Sequence, residues 1–129
     1  MMRDKLNGIF WDLNHYEFKL PFIGDAKKSC AIFRKNIVEI TWNSMRSLEN
    51  NPTTLPQTAT ILAGQSVGGI SIFDLIQVKN YGDGAKTLTD LIIRDRFSLS
   101  VSVACHLHHY VGKEDALEWG VIRSKDVSL

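Results

Sequence analysis

The feature that most constrains this chain is a run of apolar residues at helical spacing. Cys30, Phe33, Ile37 and Ile40 step by three, four and three, and Val38, Trp42, Met45 and Leu48 widen the stripe. A period near 3.6 places them on one face of an α-helix. Asp25 supplies an N-cap oxygen ahead of the run, and Asn50-Asn51-Pro52 stops it. The pattern predicts one helix over residues 26–49. At 1.5 Å per residue it would be about 36 Å long, enough to serve as the central strut of a small bundle.

The remaining patterns supply partners for that strut. Thr54-Leu55-Pro56-Gln57 reads as a capping box with proline near the start, predicting a short helix to Ala63 that Gly64 ends in the left-handed conformation. Gly68-Gly69 reads as a turn. Ser71, with Asp74 three residues on, opens a helix bearing Ile72, Leu75, Ile76 and Val78 and later Leu88, Leu91 and Ile92. Tyr81-Gly82-Asp83-Gly84 interrupts it, and two interior glycines, each costing about 1 kcal/mol relative to alanine, predict a kink or break. Ser98 is the expected cap of a last helix bearing Leu99, Val103, Leu107 and Tyr110 and ending near Gly112. Beyond it, Ala116, Leu117 and Trp119 suggest a short helical turn, and Gly120 leads into an extended tail.

At the front, Leu6, Ile9, Phe10 and Leu13 predict a short amphipathic helix, and Tyr16, Phe18, Leu20 and Phe22 alternate with polar residues and Pro21 as an extended strap would. The expectation is one all-α domain over residues 1–129, a small helical bundle. Residues 1–24 form the N-terminal helix and strap, 25–64 the strut and its short successor, and 65–129 the remaining helices and tail.

Composition narrows function by exclusion. Fifteen Lys and Arg against fourteen Asp and Glu leave a net charge of +1, too weak a field to gather nucleic acid or an acidic membrane surface. No apolar stretch approaches the roughly 18 residues of a membrane span. Asp4, Asn7, Asp12 and His15 interrupt what would be a signal-peptide core, so the expected compartment is the cytoplasm. Cys30 and Cys105 read as small buried hydrophobes. Cys105, His106, His108 and His109 share one helical turn, but further ligands would have to come from His15 or Cys30, so no metal site is expected. There is no Gly-x-Ser-x-Gly elbow, and Gly64 to Gly69 lacks the Gly-Lys-Ser/Thr ending of a phosphate loop.

Thr41-Trp42-Asn43-Ser44, the run Leu48-Glu49-Asn50-Asn51-Pro52-Thr53-Thr54-Leu55-Pro56, and Val67-Gly68-Gly69-Ile70-Ser71 resemble the amino-terminal half of Fic-domain proteins. Leu107-His108-His109 and Asp115-Ala116-Leu117-Glu118-Trp119-Gly120-Val121-Ile122-Arg123 resemble the stretch preceding the target-docking flap of that family. The resemblance spans residues 10–129. It implies transfer of AMP from ATP to a hydroxyl side chain of a protein. In the family a histidine of a His-Pro-Phe motif deprotonates that hydroxyl, and a following Gly-Asn segment at a helix N-terminus holds the phosphates.

This chain contains no His-Pro-Phe. The resemblance therefore implies a regulatory and scaffold portion that is inactive by itself, with no catalytic residue of its own. ATP and Mg²⁺ belong to the complete enzyme and are not expected to bind this piece tightly. Glu49 is implied as an inhibitory carboxylate that competes with phosphate for an arginine of the catalytic motif, with Ser44 and Asn50 as its neighbours. Arg123, Val127 and Leu129 are implied as the first part of the flap, which aligns a target by strand addition.

The family places Ser or Thr four residues before the glutamate, whereas here Met45 holds that place and Ser44 lies five before. One extra residue turns a helix by about 100°, so either a π-bulge absorbs it or Glu49 points away from its expected partner. Read without the resemblance, Glu49 is a solvated glutamate at a helix end. Two other functions fit the same residues: a non-catalytic module that inhibits a Fic domain in trans, and a degenerate helical remnant that dimerises. The implied partners are thus a protein target, a Fic catalytic domain or a second copy, with no nucleic acid and no membrane. An apolar face left uncovered by this chain is the expected signature.

Overall fold

A computed structural model describes the backbone of residues 2–3 and 10–11 and the whole of residues 24–124. Met2–Arg3 (β1) pairs antiparallel with Phe10–Trp11 (β2). Five helices follow: α1 (Ala26–Lys35), α2 (Ile37–Glu49), α3 (Leu55–Leu62), α4 (Ile72–Ile93) and α5 (Val101–Val111). The architecture is a small all-α bundle. Phe10, expected on a helix face, stands in β2. The rest of that expected helix, the strap at Tyr16 to Phe22, and the tail at 125–129 lie outside the described residues. No helix among the described residues is long and apolar enough to cross a membrane.

The expected single helix over 26–49 is two. Asn36, at φ −103° and ψ 10°, leaves the helical path for one residue, and its side-chain Nδ2 donates to Ile32 O at 2.9 Å. An asparagine amide that takes a backbone carbonyl of the preceding turn competes with the helix ladder, which accounts for the interruption. Asp25 caps α1 as expected, accepting from Lys28 N. Asn50 ends α2 in the left-handed conformation, φ 52°, a role that asparagine fills more readily than other non-glycine residues.

α3 has the full capping box: Gln57 N donates to Thr54 Oγ1 and Thr54 N to Gln57 Oε1. Gly64, φ +89°, turns the chain out of it. α4 opens at Ser71, whose Oγ accepts from Asp74 N and donates to Asp74 Oδ2.

α4 departs most from expectation. It runs unbroken for 22 residues through Gly82 and Gly84, about 33 Å. It is also the element against which α1, α2, α3 and α5 all pack. The central strut is therefore α4 rather than the 26–49 segment. Its glycines are sites of close approach. A Cβ at Gly82 would collide with Leu62 Cδ2 of α3, and one at Gly84 would lie 2.5 Å from Val111 Cγ2 of α5. The bare Cα atoms let two neighbours press onto the strut from different sides, and that packing outweighs the low helix propensity of glycine. α5 begins two residues later than expected, with Ser100 as the cap accepting from Val103 N and Ser98 bonded to Ser100.

The core is small. Met45, Ile61 and Val78 are buried together, with Leu62, Val67, Ile70, Leu75 and Tyr81 packed around them. Much of what is buried is polar: Thr41, Asn51, Thr53, Thr58, Gln77, Asn80 and Thr89 are all buried, against Cys30, Met45, Ile61, Val78 and Ala85 among apolar residues.

Candidate functional site

The end of α2 is fastened to α4 by a chain of amides. Asn51, 2% exposed, accepts from Thr53 N through Oδ1 at 3.0 Å. Its Nδ2 donates to Asp74 O at 3.1 Å and to Gln77 Oε1 at 2.9 Å. With its oxygen thus engaged, the Gln77 amide has a fixed orientation, and its Nε2 faces outward. That nitrogen donates to Glu49 Oε2 at 3.4 Å and to Asp115 Oδ2 at 3.2 Å. Two carboxylates, one from the end of α2 and one from the turn after α5, therefore converge on one neutral amide. Neither takes part in an ion pair among the described residues.

The local geometry of α2 places Glu49 against α4. α2 contains no π-bulge. Met45, four residues before Glu49, is buried in the core, so the same helix face one turn later brings Glu49 to the edge of α4. Ser44 is on another face, and its hydroxyl shares a hydrogen bond with Tyr81 Oη at 3.2 Å. Ser44 is therefore a tie between α2 and α4. Asn50, next in sequence to Glu49, serves as the left-handed cap. Arg123 is exposed beyond α5, and Val127 and Leu129 lie outside the described residues.

Several exposed apolar side chains lie within two residues of a member of this network. Leu48 is 77% exposed, Ile72 76% and Leu117 96%, and Phe73 beside Asp74 is also exposed. This end of the molecule thus combines acidic acceptors with uncovered apolar surface. Single exposed apolar residues are ordinary, but four so placed resemble the rim of an interface.

Sequence reasoning missed Gln77 and Asp115. The available signal at Gln77 was a polar residue between Ile76 and Val78 in an apolar run, on what proves to be the buried side of α4. Asp115 stood in the sequence only as the start of the stretch before the expected flap, and only the turn after α5 brings it to Gln77.

A cleft of about 730 Å³ lies elsewhere, between α1, α3 and α4. Its walls include Phe33, Ile37 and Leu62, and its charged members are mostly paired across or along the rim. Arg34 donates through Nε and Nη2 to Thr89 Oγ1 at 2.9 and 2.8 Å and through Nη2 to Asp90 at 2.8 Å, while Lys79 meets Asp83 at 2.7 Å. Neither Glu49 nor Asp115 lines it. Among the described residues no group of three or more His, Cys, Asp or Glu side chains is arranged to hold a metal ion. Cys105, His106, His108 and His109 thus form no such group.

Comparison of the chain with family models, with curated proteins and with solved structures gives no match.

Proposed function

We propose that this chain is the regulatory and scaffold portion of a Fic-type protein adenylyltransferase, acting on a catalytic portion that supplies the arginine its carboxylates address. The single observation that carries the reading is the convergence of Glu49 and Asp115 on the Gln77 amide. An amide nitrogen neutralises no charge, so both carboxylates keep acceptor capacity for a cationic donor. A guanidinium, planar and with five N–H groups, matches such a pair better than an ammonium does. The buried Asn51 and Gln77 fix the carboxylates before a partner arrives, which lowers the ordering cost of binding.

The same charge argues against nucleotide binding at this end of the molecule. Two anionic groups repel a triphosphate, and the chain contains no His-Pro-Phe to act as general base. ATP and Mg²⁺ accordingly belong to the catalytic portion, whose arginine the carboxylates here would occupy in competition with phosphate. The exposed Leu48, Ile72, Phe73 and Leu117 are the surface such a portion would cover.

The test is AMP transfer from labelled ATP by a catalytically complete Fic-domain enzyme, with and without this chain. The expected result is less transfer with the unaltered chain and restored transfer with Glu49→Gly. Asp115→Asn, which keeps the side-chain shape, gives an intermediate effect. Equal transfer with all three versions sinks the proposal.

A further inference from the structure

Beyond α5 the chain turns back on the bundle and is held by a few polar contacts. Asp115 N and Ala116 N donate to Gly112 O at 3.1 and 2.9 Å. Asn80 Nδ2 donates to Lys113 O at 2.9 Å, and Gln77 holds Asp115. At the far end of the segment, Gly120 N donates to His108 Nδ1 at 3.1 Å. This last bond differs in kind from the others. A backbone N–H can only donate, so Nδ1 must present a lone pair and the imidazole must be neutral with its proton on Nε2. Protonation puts an N–H on both ring nitrogens, and two donors then face each other where the bond had been.

The surroundings hold the ring in that place. A Cβ at Gly112 would lie 2.5 Å from His108 Nε2 and 2.7 Å from Cε1, so only the bare Cα of glycine leaves room for the imidazole. Gly120 has φ +75°, and a Cβ there would stand 3.0 Å from His109 Cβ and 3.4 Å from Cys105 O. Gly112 thus packs against the His108 ring, whereas Gly120 meets it through its N–H alone, and the Nδ1 of His109 would stand 3.3 Å from a Cβ at Gly120. Among the described residues no carboxylate lies within 4 Å of either ring nitrogen. Of the titratable residues, His109 and Cys105 on α5 lie against Gly120, and Asp115 on the segment is held by Gln77 of α4. His108 is exposed, so protons reach it freely.

We propose that His108 is a proton-operated latch for the segment that follows α5. In the neutral state it fastens Gly120 to the helix; on protonation it releases that end. Asp115, earlier in the same segment, is held separately by Gln77 and by its own N–H to Gly112 O, so the release is confined to the Gly120 end. The inference stands whether or not the chain partners an adenylyltransferase, because its readout is the segment itself.

The experiment is NMR of the full isotopically labelled chain across the titration of His108. The Gly120 amide shift and the His108 ring carbons are expected to follow one curve. The protection factor of Gly120, corrected for intrinsic exchange, should fall about fivefold on protonation, the population change worth one net hydrogen bond. His108→Asn places an oxygen that takes up no proton near the position of Nδ1, and Gly120 protection then ceases to depend on pH. His108→Ala gives low Gly120 protection throughout, with α4 amides unchanged. A Gly120 amide that is indifferent to the His108 titration overturns the latch, as does a His108→Asn chain with the unaltered pH profile. A titration abolished by His109→Gln but kept in His108→Ala overturns it as well, by assigning the effect to the neighbour.

Discussion

Replacing the two glycines of α4 with alanine, one at a time, separates packing from helix propensity. Propensity alone treats the two alike: each substitution favours the helix by about 1 kcal/mol. The structure does not. At Gly82 the new methyl meets Leu62 Cδ2, the free end of a flexible side chain that is only half-buried. Displacing it costs about 0.5–1 kcal/mol in rotamer strain, so Gly82→Ala is expected to be neutral or stabilising by up to about 0.5 kcal/mol.

At Gly84 the methyl would lie 2.5 Å from Val111 Cγ2, with Val111 Cβ and Tyr110 Cβ behind it at 3.9 Å. A normal carbon–carbon contact is about 3.5–4.0 Å, so α5 must yield by about 1 Å. Valine is stiff at χ1 and cannot swing its methyl away cheaply. Overpacking of this kind costs about 1–3 kcal/mol, leaving Gly84→Ala destabilising by up to about 2 kcal/mol after the propensity gain.

Urea unfolding followed by helix circular dichroism reads the difference. With a slope of about 1–3 kcal/mol per molar, the two variants should be separated by about 0.5–1 M in midpoint, Gly84→Ala lower. Gly84→Ala/Val111→Ala removes the collision and should recover part of the loss. If Gly84→Ala raises the midpoint as much as Gly82→Ala does, the glycines are not contact sites and the reasoning fails.

Two further substitutions probe the polar ties. Asn51→Ala strips partners from Thr53 N, Asp74 O and Gln77 Oε1 at a buried position, and should cost about 2–3 kcal/mol. In a chain of this size that lowers the melting temperature by about 8–12 °C, and a shift under about 3 °C counts against the hub role. Arg34→Ala breaks the link from α1 to Thr89 and Asp90, whose ion pair is 47% and 43% exposed, so global stability should change by about 1 kcal/mol or less. Amide exchange should nonetheless quicken across α1 while α4 stays protected; uniform change along the chain would show that the tie is not local.

The parts of this fold legible in the sequence are those decided within one turn of chain. Asp25, the Thr54/Gln57 box, Ser71 and the stop at Asn50 each act on neighbours three to five residues away, and each is found in its expected role. What could not be read depends on distant partners. Gly82 and Gly84 look like a break until Leu62 and Val111 are known to press on them. Ser98 and Ser100 are equally good caps in isolation, and the structure uses Ser100, with the Ser98 hydroxyl bonded to it. Asn36 interrupts a periodic stripe through its own side chain, a competition the apolar pattern does not register. Of the residues singled out for function, Glu49 accepts from Gln77 and Ser44 shares a hydrogen bond with Tyr81, neither contact having been visible in the sequence. Gln77, which orients the carboxylates, was hidden inside an apolar run.

The balance of the interior has a calorimetric consequence. Heat capacity rises when apolar surface meets water and falls when polar surface does, and the usual sum is about 12–15 cal/mol/K per residue. A buried set in which threonines and amides are as prominent as aliphatic side chains draws on both signs at once. The stability curve of this bundle should therefore be flatter than that of an aliphatic core of equal size, with less curvature toward low temperature and a more gradual thermal melt.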